Sequence, residues 1–180
     1  MSGLTIAGSG LTLVDPSSGG GAISSYQGYY GSFYSSTSQS DGANTPLRLY
    51  CENTAYSAGV TMETGTSGTK SRMTFANAGV YNIQFSCQLH NNGGGGAGNT
   101  VNIWFRLNGT NIADSDTKVT VPTNAPYVVA AWNFIVQVNA LQYVELMFMT
   151  DNANIGVDAS VAGVDNPAIP SIIMTAQQIR

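Results

Sequence analysis

Residues 79–89 read Gly79-Val80-Tyr81-Asn82-Ile83-Gln84-Phe85-Ser86-Cys87-Gln88-Leu89. Tyr81, Ile83, Phe85, Cys87 and Leu89 fall on one side of an extended chain. Val80, Asn82, Gln84, Ser86 and Gln88 fall on the other. A strict period of two marks a strand lying between two different environments. The second side carries no charge. Lys and Glu cost nothing on a solvent face and oppose edge-to-edge aggregation, so an ordinary outer face includes them. Amides, hydroxyls and small apolar groups instead suit burial against another polypeptide, where hydrogen bonds are exchanged without stripping water from ions.

Working outward, a strand is predicted over about Ser71–Ala76, with a tight turn at Asn77-Ala78-Gly79. Downstream, the run His90 to Asn99 holds four consecutive glycines and is expected to be a loop, with His90 as a solvated loop residue. Thr100–Leu107 alternates Val101, Ile103, Phe105 and Leu107 against Asn102, Trp104 and Arg106. Asn108-Gly109 follows, the dipeptide that best supplies the two positive φ angles of a hairpin turn. In Tyr127–Val138, Ala130, Trp132, Phe134, Val136 and Val138 alternate with Ala131, Asn133, Ile135 and Gln137, another uncharged face. A turn near Asn139–Gln142 leads into a strand at Tyr143–Thr150, and a final strand closes the chain at Arg180.

Composition agrees. Val, Ile and Thr number 42 against nine Leu, and β-branched residues favour sheet over helix. No sustained 3.6-residue period appears. Nine or ten strands at this spacing predict an all-β sandwich or jelly roll over residues 26–180. Residues 1–25 are rich in Gly and Ser and contain an echo, Gly3-Leu4-Thr5-Ile6 and Gly10-Leu11-Thr12-Leu13. They read as an extended arm and linker in which Leu4, Ile6, Leu11 and Leu13 could add to another sheet edge.

Only 16 of the 180 residues are charged, with six Lys/Arg and a net charge of −4, which excludes a basic nucleic-acid binder. The first residues carry no Lys or Arg and no sustained apolar run, so they do not read as a secretory signal. The longest strongly apolar stretch, Val128 to Trp132, is far too short to span a bilayer. Two cysteines, Cys51 and Cys87, make no disulfide framework and are expected to be buried thiols.

Candidate chemistry is sparse. His90 is the single histidine. Asp114 with Asp116, or Asp151 with Asn152 and Asn154, offer oxygens without the spacing or closing glutamate of a calcium loop. Gly93–Gly96 lacks the strand–helix context and lysine of a phosphate loop. No cofactor, metal or catalytic residue is expected, and the chain is not expected to be an enzyme.

The stretches Met73–Leu89, Val101–Ile112 and Val129–Phe148, with Pro170–Thr175, resemble the tumour-necrosis-factor/complement-globular-head jelly roll, in the version found in virion proteins of tailed bacteriophages. The likeness runs from about Tyr29 to Arg180. It rests most on Phe75, Gly79 and Tyr81 in order before an alternating strand, together with the Asn108-Gly109 turn. The resemblance implies a ten-stranded sandwich assembled as a homotrimer. Asn82, Gln84, Ser86, Asn133, Ile135 and Gln137 would then approach the three-fold axis, with Ser171 and Ile173 from the last strand. One departure stands out. The family usually has Gly-Asp at the turn before the penultimate strand, and here that place holds Leu141-Gln142.

Fold does not fix function. The first reading is a trimeric decoration or cement protein, made in the host cytoplasm and carried on the virion. It would bind the major capsid protein or other virion proteins, with no nucleic acid and no membrane as partner. A receptor-binding knob of a tail fibre is second; no shaft is encoded ahead of residue 26, which favours decoration. A secreted cytokine-like or lectin-like module is third.

Overall fold

The computed structural model describes residues 28–93, 99–123 and 127–180. The strands are β1 (Tyr30–Ser35), β2 (Leu47–Arg48), β3 (Asn53–Ala58), β4 (Val60–Thr64), β5 (Lys70–Phe75) and β6 (Gly79–Asn91). They continue as β7 (Thr100–Leu107), β8 (Thr110–Asn111), β9 (Thr117–Thr120), β10 (Tyr127–Val138), β11 (Tyr143–Thr150), β12 (Ile155–Val157) and β13 (Ile172–Gln178). No helix occurs among the described residues.

Two antiparallel sheets face each other. One has the order β10-β6-β13-β1-β3, with β12 also paired to β6. The other runs β4-β5-β11-β7-β8, with β2 paired to β11 and β9 to β7. On β6, β13 pairs with Tyr81–Cys87 and β12 with Leu89–Asn91, so the two share a lane. β2 likewise continues β5 along β11, and β8 and β9 share one side of β7. The thirteen strands therefore occupy ten lanes, within the nine or ten that the spacing predicts and equal to the ten that the resemblance implies.

The period-two reading places the core correctly. Tyr81, Ile83, Phe85, Cys87 and Leu89 are all buried, as are Val101, Ile103 and Phe105 from the facing sheet. Aromatic rings bridge the layers: Phe85 lies edge-on to Phe105 at 5.8 Å and Tyr81 meets Phe75 at 4.5 Å, while within its own sheet Phe85 lies edge-on to Trp132 at 4.4 Å. Edge-to-face pairs suit the ring quadrupole and add about 0.5–1.5 kcal/mol beyond area burial. The Tyr81 hydroxyl donates to the Asn77 carbonyl at 3.1 Å, so its burial leaves no lost hydrogen bond.

The turns follow their residues. Asn108 and Gly109 take φ of 48° and 82°, the primed hairpin geometry the dipeptide predicts. Gly79 is required for a different reason. A Cβ there would sit 2.4 Å from Gln178 Nε2 and 2.6 Å from the Arg180 carbonyl oxygen, so only glycine lets the chain terminus close over β6.

One expectation changes. The predicted loop His90 to Asn99 starts too early, because His90 and Asn91 extend β6. Their partner is the distant β12, whose register joins Ile155 to Asn91 and Gly156 to His90. Residues 94–98 of that run lie outside the described residues. On β11 both faces are covered. Glu145 and Met147 are as buried as Val144, Leu146 and Phe148. Glu145 Oε1 lies 3.2 Å from Arg48 Nε and 3.4 Å from Arg72 Nε, while the Arg72 guanidinium stacks 4.3 Å over the Tyr143 ring. One carboxylate thus ties β2 and β5, the two segments of a single lane, to the strand beside them.

The departure at Leu141-Gln142 keeps the turn. Leu141 adopts φ of 66° because its N–H must reach the Phe75 carbonyl at 2.7 Å, while the Phe75 N–H donates to the Gln142 carbonyl at 3.0 Å. Gln142 Oε1 accepts the Asn139 N–H at 2.8 Å, a task a turn aspartate performs. A left-handed conformation costs a non-glycine residue about 1–2 kcal/mol, and glycine's extra chain entropy returns about 0.5–1. Leu141→Gly is therefore expected to stabilise the fold by about 0.5–1 kcal/mol, read from the midpoint of urea unfolding; a lowered midpoint contradicts this account of the turn.

Cys51 and Cys87 are both buried and free. Burial pushes both thiols well above the ordinary range, the Glu52 charge adding to it at Cys51 and Cys51 itself at Cys87. A thiol held protonated is a poor nucleophile. The native protein at pH 8 is expected to react with an aromatic disulfide reagent only as fast as it unfolds, and the denatured chain to release two equivalents; rapid native labelling of either thiol contradicts this.

Candidate assembly interface

Charge is divided between the two sheets. The strands of the first sheet, β1, β3, β6, β10, β12 and β13, contain no Lys, Arg, Asp or Glu. All seven such residues that lie in strands belong to the second sheet: Arg48, Glu63, Lys70, Arg72, Arg106, Lys118 and Glu145. Exposed apolar side chains divide the opposite way. Of the twelve large ones among the described residues, seven lie in strands, and all seven are on the first sheet: Tyr30, Tyr34, Tyr56, Tyr127, Val129, Ile135 and Ile173.

The register shows how these residues meet. Gln84 on β6 stands opposite Asn133 on β10 and Thr175 on β13. Ser86 stands between Ala131 and Ile173, and Asn82 between Ile135 and Gln177. Ile173 faces Tyr34 on β1, and Ser32 faces Tyr56 on β3. A continuous outward surface thus crosses all five lanes. The Asn133 amide donates to Asn82 Oδ1 at 3.2 Å, so part of the amide layer is already oriented. Tyr56 is 73% exposed and Ile135 59%, which is far from what a strand-borne tyrosine or isoleucine shows in a packed environment.

Of the residues named from the sequence, Asn82, Gln84, Ser86, Asn133, Ile135, Gln137 and Ile173 share this surface. Ser171 does not. It is completely buried beneath the segment that follows β1, its hydroxyl donating to the Thr37 carbonyl at 2.7 Å. Its odd number matches Ile173 in a simple alternation, but a connecting segment far away in sequence covers it. Leu4, Ile6, Leu11 and Leu13 lie outside the described residues. Sequence reasoning missed β1 and β3. Tyr30, Ser32, Tyr34 and Tyr56 widen the surface from three lanes to five, and the alternation Tyr30-Gly31-Ser32-Phe33-Tyr34 is its available signal.

Toward the β1–β3 edge a hollow of about 460 Å³ opens between this face and the segment 159–170, lined by Tyr34, Ala55, Val161, Ile169, Pro170 and Ile173 among others. At one end the surface stops at a small polar cluster. The His90 ring stacks on Tyr127 at 4.5 Å, and His90 Nδ1 lies 3.5 Å from Asp158 Oδ2. Ser38 is near, but its hydroxyl donates to Asp158 and not to the imidazole. A nucleophile–base–orienter series needs the histidine between the other two. Here the aspartate occupies that place, and the cluster instead pins Asp158 beside β6.

No protein-family model matches the chain, and no curated protein matches it in sequence. Among solved structures it is similar to murine APRIL in crystals at pH 8.5 and pH 5.0, with TM-scores of 0.53 and 0.55. Sequence identity is 8% in each case, over 85% of this chain and 100% of the other. At that identity the likeness is one of fold: the protein is an all-β sandwich with the tumour-necrosis-factor-like jelly-roll arrangement.

Proposed function

We propose that this chain is a non-enzymatic assembly protein that forms a homotrimer through the outward face of its first sheet. The observation that carries the reading is the division of charge. Dehydrating an ion costs several kcal/mol even after relaxation, whereas an amide or hydroxyl that finds a new partner loses little. A sheet whose strands hold no such ion, and which gathers every strand-borne exposed apolar side chain, is suited to being covered. Three-fold symmetry is taken from the family resemblance. Against catalysis stand the two buried thiols and the order of groups in the Ser38–Asp158–His90 cluster.

The finer reading is a decoration or cement protein on the head of a tailed bacteriophage, gripping the shell through residues 1–25. It draws on the sequence resemblance and on the apolar echo Leu4, Ile6, Leu11 and Leu13. Three arms on one trimer would bind a lattice with avidity and no turnover. A second reading, a receptor-binding knob, is favoured by a hollow of about 320 Å³ on the opposite sheet, lined by Trp104, Asn102, Asp114 and Asp116 among others.

Replacing Gln84 or Asn133 with Asp places three like charges near the axis. At about 5 Å and an effective permittivity of about 20, each pair repels by about 3 kcal/mol. Sedimentation velocity is expected to show the parent chain near three times 18.8 kDa, about 56 kDa, and both variants shifted toward monomer. Unchanged sedimentation of both variants contradicts the assigned axis. Deleting residues 1–25 is expected to leave the trimer intact and abolish binding to shells that lack the decoration. Undiminished binding removes the arm from the mechanism, and adsorption of the trimer to host cells in place of shells supports the knob.

A further inference from the structure

We infer that the second sheet carries a binding site for a neutral pyranose sugar, in the hollow beside Trp104. The hollow has a volume of about 320 Å³ and lies between β7 and the segment from β8 to β9. Trp104, Ile112 and Met149 give it apolar walls, and Asn102, Asn111, Asp114 and Asp116 give it polar ones. A pyranose has the matching two-sided chemistry, with C–H faces for an aromatic wall and a ring of hydroxyls that both donate and accept. A small cavity with apolar lining and a few fixed polar groups is the usual form of a small-molecule site.

The polar groups are held in place before any ligand arrives. Ser115 is buried: its oxygen accepts the Phe105 N–H at 3.1 Å, and its hydroxyl reaches the Ile112 carbonyl at 2.8 Å. That anchor ties the segment to β7 and leaves Asp114 and Asp116, its two neighbours, at the hollow. Asn111 Oδ1 accepts from Trp104 Nε1 at 2.9 Å and from Arg106 Nε at 2.7 Å. With its oxygen so engaged, Asn111 offers its NH₂ as donor. Asn102 donates to Asp116 Oδ2 at 2.8 Å, leaving its own carbonyl oxygen and Asp116 Oδ1 as acceptors. Amide donor, amide acceptor and two carboxylates therefore converge beside an indole. Fixed orientation of such groups lowers the ordering cost of binding.

The two carboxylates also set the class of sugar. Sialic and uronic acids and phosphorylated sugars bring a negative charge to a lining that holds two carboxylates, against which stands one cation, Arg106, held by Asn111 at 2.7 Å and 5.9 Å from the Trp104 ring, so the site favours neutral rings. Calcium is a poorer occupant, because the Asn102 amide already uses one Asp116 oxygen and a calcium ion takes six to eight oxygens. The hollow lies on the sheet opposite the uncharged face. On the trimer reading above, three copies would point outward and act with avidity, but single-site binding needs no trimer.

The test uses the full chain labelled with ¹⁵N and follows its two indole N–H signals, from Trp104 and Trp132. Probes are the methyl glycosides of glucose, galactose and mannose, N-acetylglucosamine, and N-acetylneuraminic acid as the anionic comparison. At least one neutral probe is expected to move the Trp104 signal with a dissociation constant of about 0.1–10 mM, leaving Trp132 unmoved. Asp114→Asn and Asp116→Asn are each expected to weaken that response at least ten-fold, while the dispersion of the amide spectrum in the same samples reports that the fold is kept. No movement of Trp104 with any neutral probe at about 50 mM overturns the proposal. So does an undiminished response in both variants, a response to N-acetylneuraminic acid alone, or one that a calcium chelator abolishes. Sedimentation is unaffected by these outcomes, so failure here is separable from failure of the trimer.

Discussion

The cost of removing an ion from water organises this molecule. Every charge that the strands carry is on one sheet, and the other sheet has none. The charged sheet has its own discipline: Glu145, which is almost inaccessible, is tolerated because Arg48 and Arg72 both approach it. Breaking such a group by removing a partner leaves a buried charge, at a cost of about 3–5 kcal/mol. The uncharged sheet avoids the problem altogether. Its amides and hydroxyls can change partners, and its tyrosines and isoleucines gain by leaving water.

Much of this was legible in the amino-acid order, for local reasons. The alternation through Tyr81–Leu89 and the two φ-positive residues Asn108-Gly109 are short-range signals, and each produces the strand or turn it predicts. The uncharged face of β6 and β10 was legible too, since alternation alone assigns Asn82, Gln84, Asn133 and Gln137 to one side. What escaped depends on partners far along the chain. His90 joins a strand because β12 lies beside it. Ser171 is covered by the segment around Thr37. Glu145 sits 97 positions from Arg48 and 73 from Arg72, and no periodicity in Tyr143–Thr150 announces either.

The turn at Leu141 shows how the two kinds of information combine. The Leu141 N–H donates to the Phe75 carbonyl of β5 and the Gln142 carbonyl accepts the Phe75 N–H, a pairing that holds Leu141 in the left-handed region whatever its side chain. The fold therefore overrides the preference of leucine, and Gln142 replaces a turn aspartate by reaching back to Asn139. Opposite faces of one sandwich thus differ in chemistry: a broad uncharged surface, which we propose is covered by polypeptide, and a small hollow where an indole, two amides and two carboxylates meet.

The most direct test of the covered face is hydroxyl-radical footprinting of the intact protein at micromolar concentration, with the labelled residues read by mass spectrometry. Tyr56, Val129, Ile135 and Ile173 are exposed in the single chain, and Trp104 and Met149 on the opposite sheet serve as references. The account predicts strong protection of the first group relative to the references, lost on dilution to the monomer. Labelling of Tyr56 and Ile135 in proportion to their exposure in a lone chain, at every concentration, would contradict it.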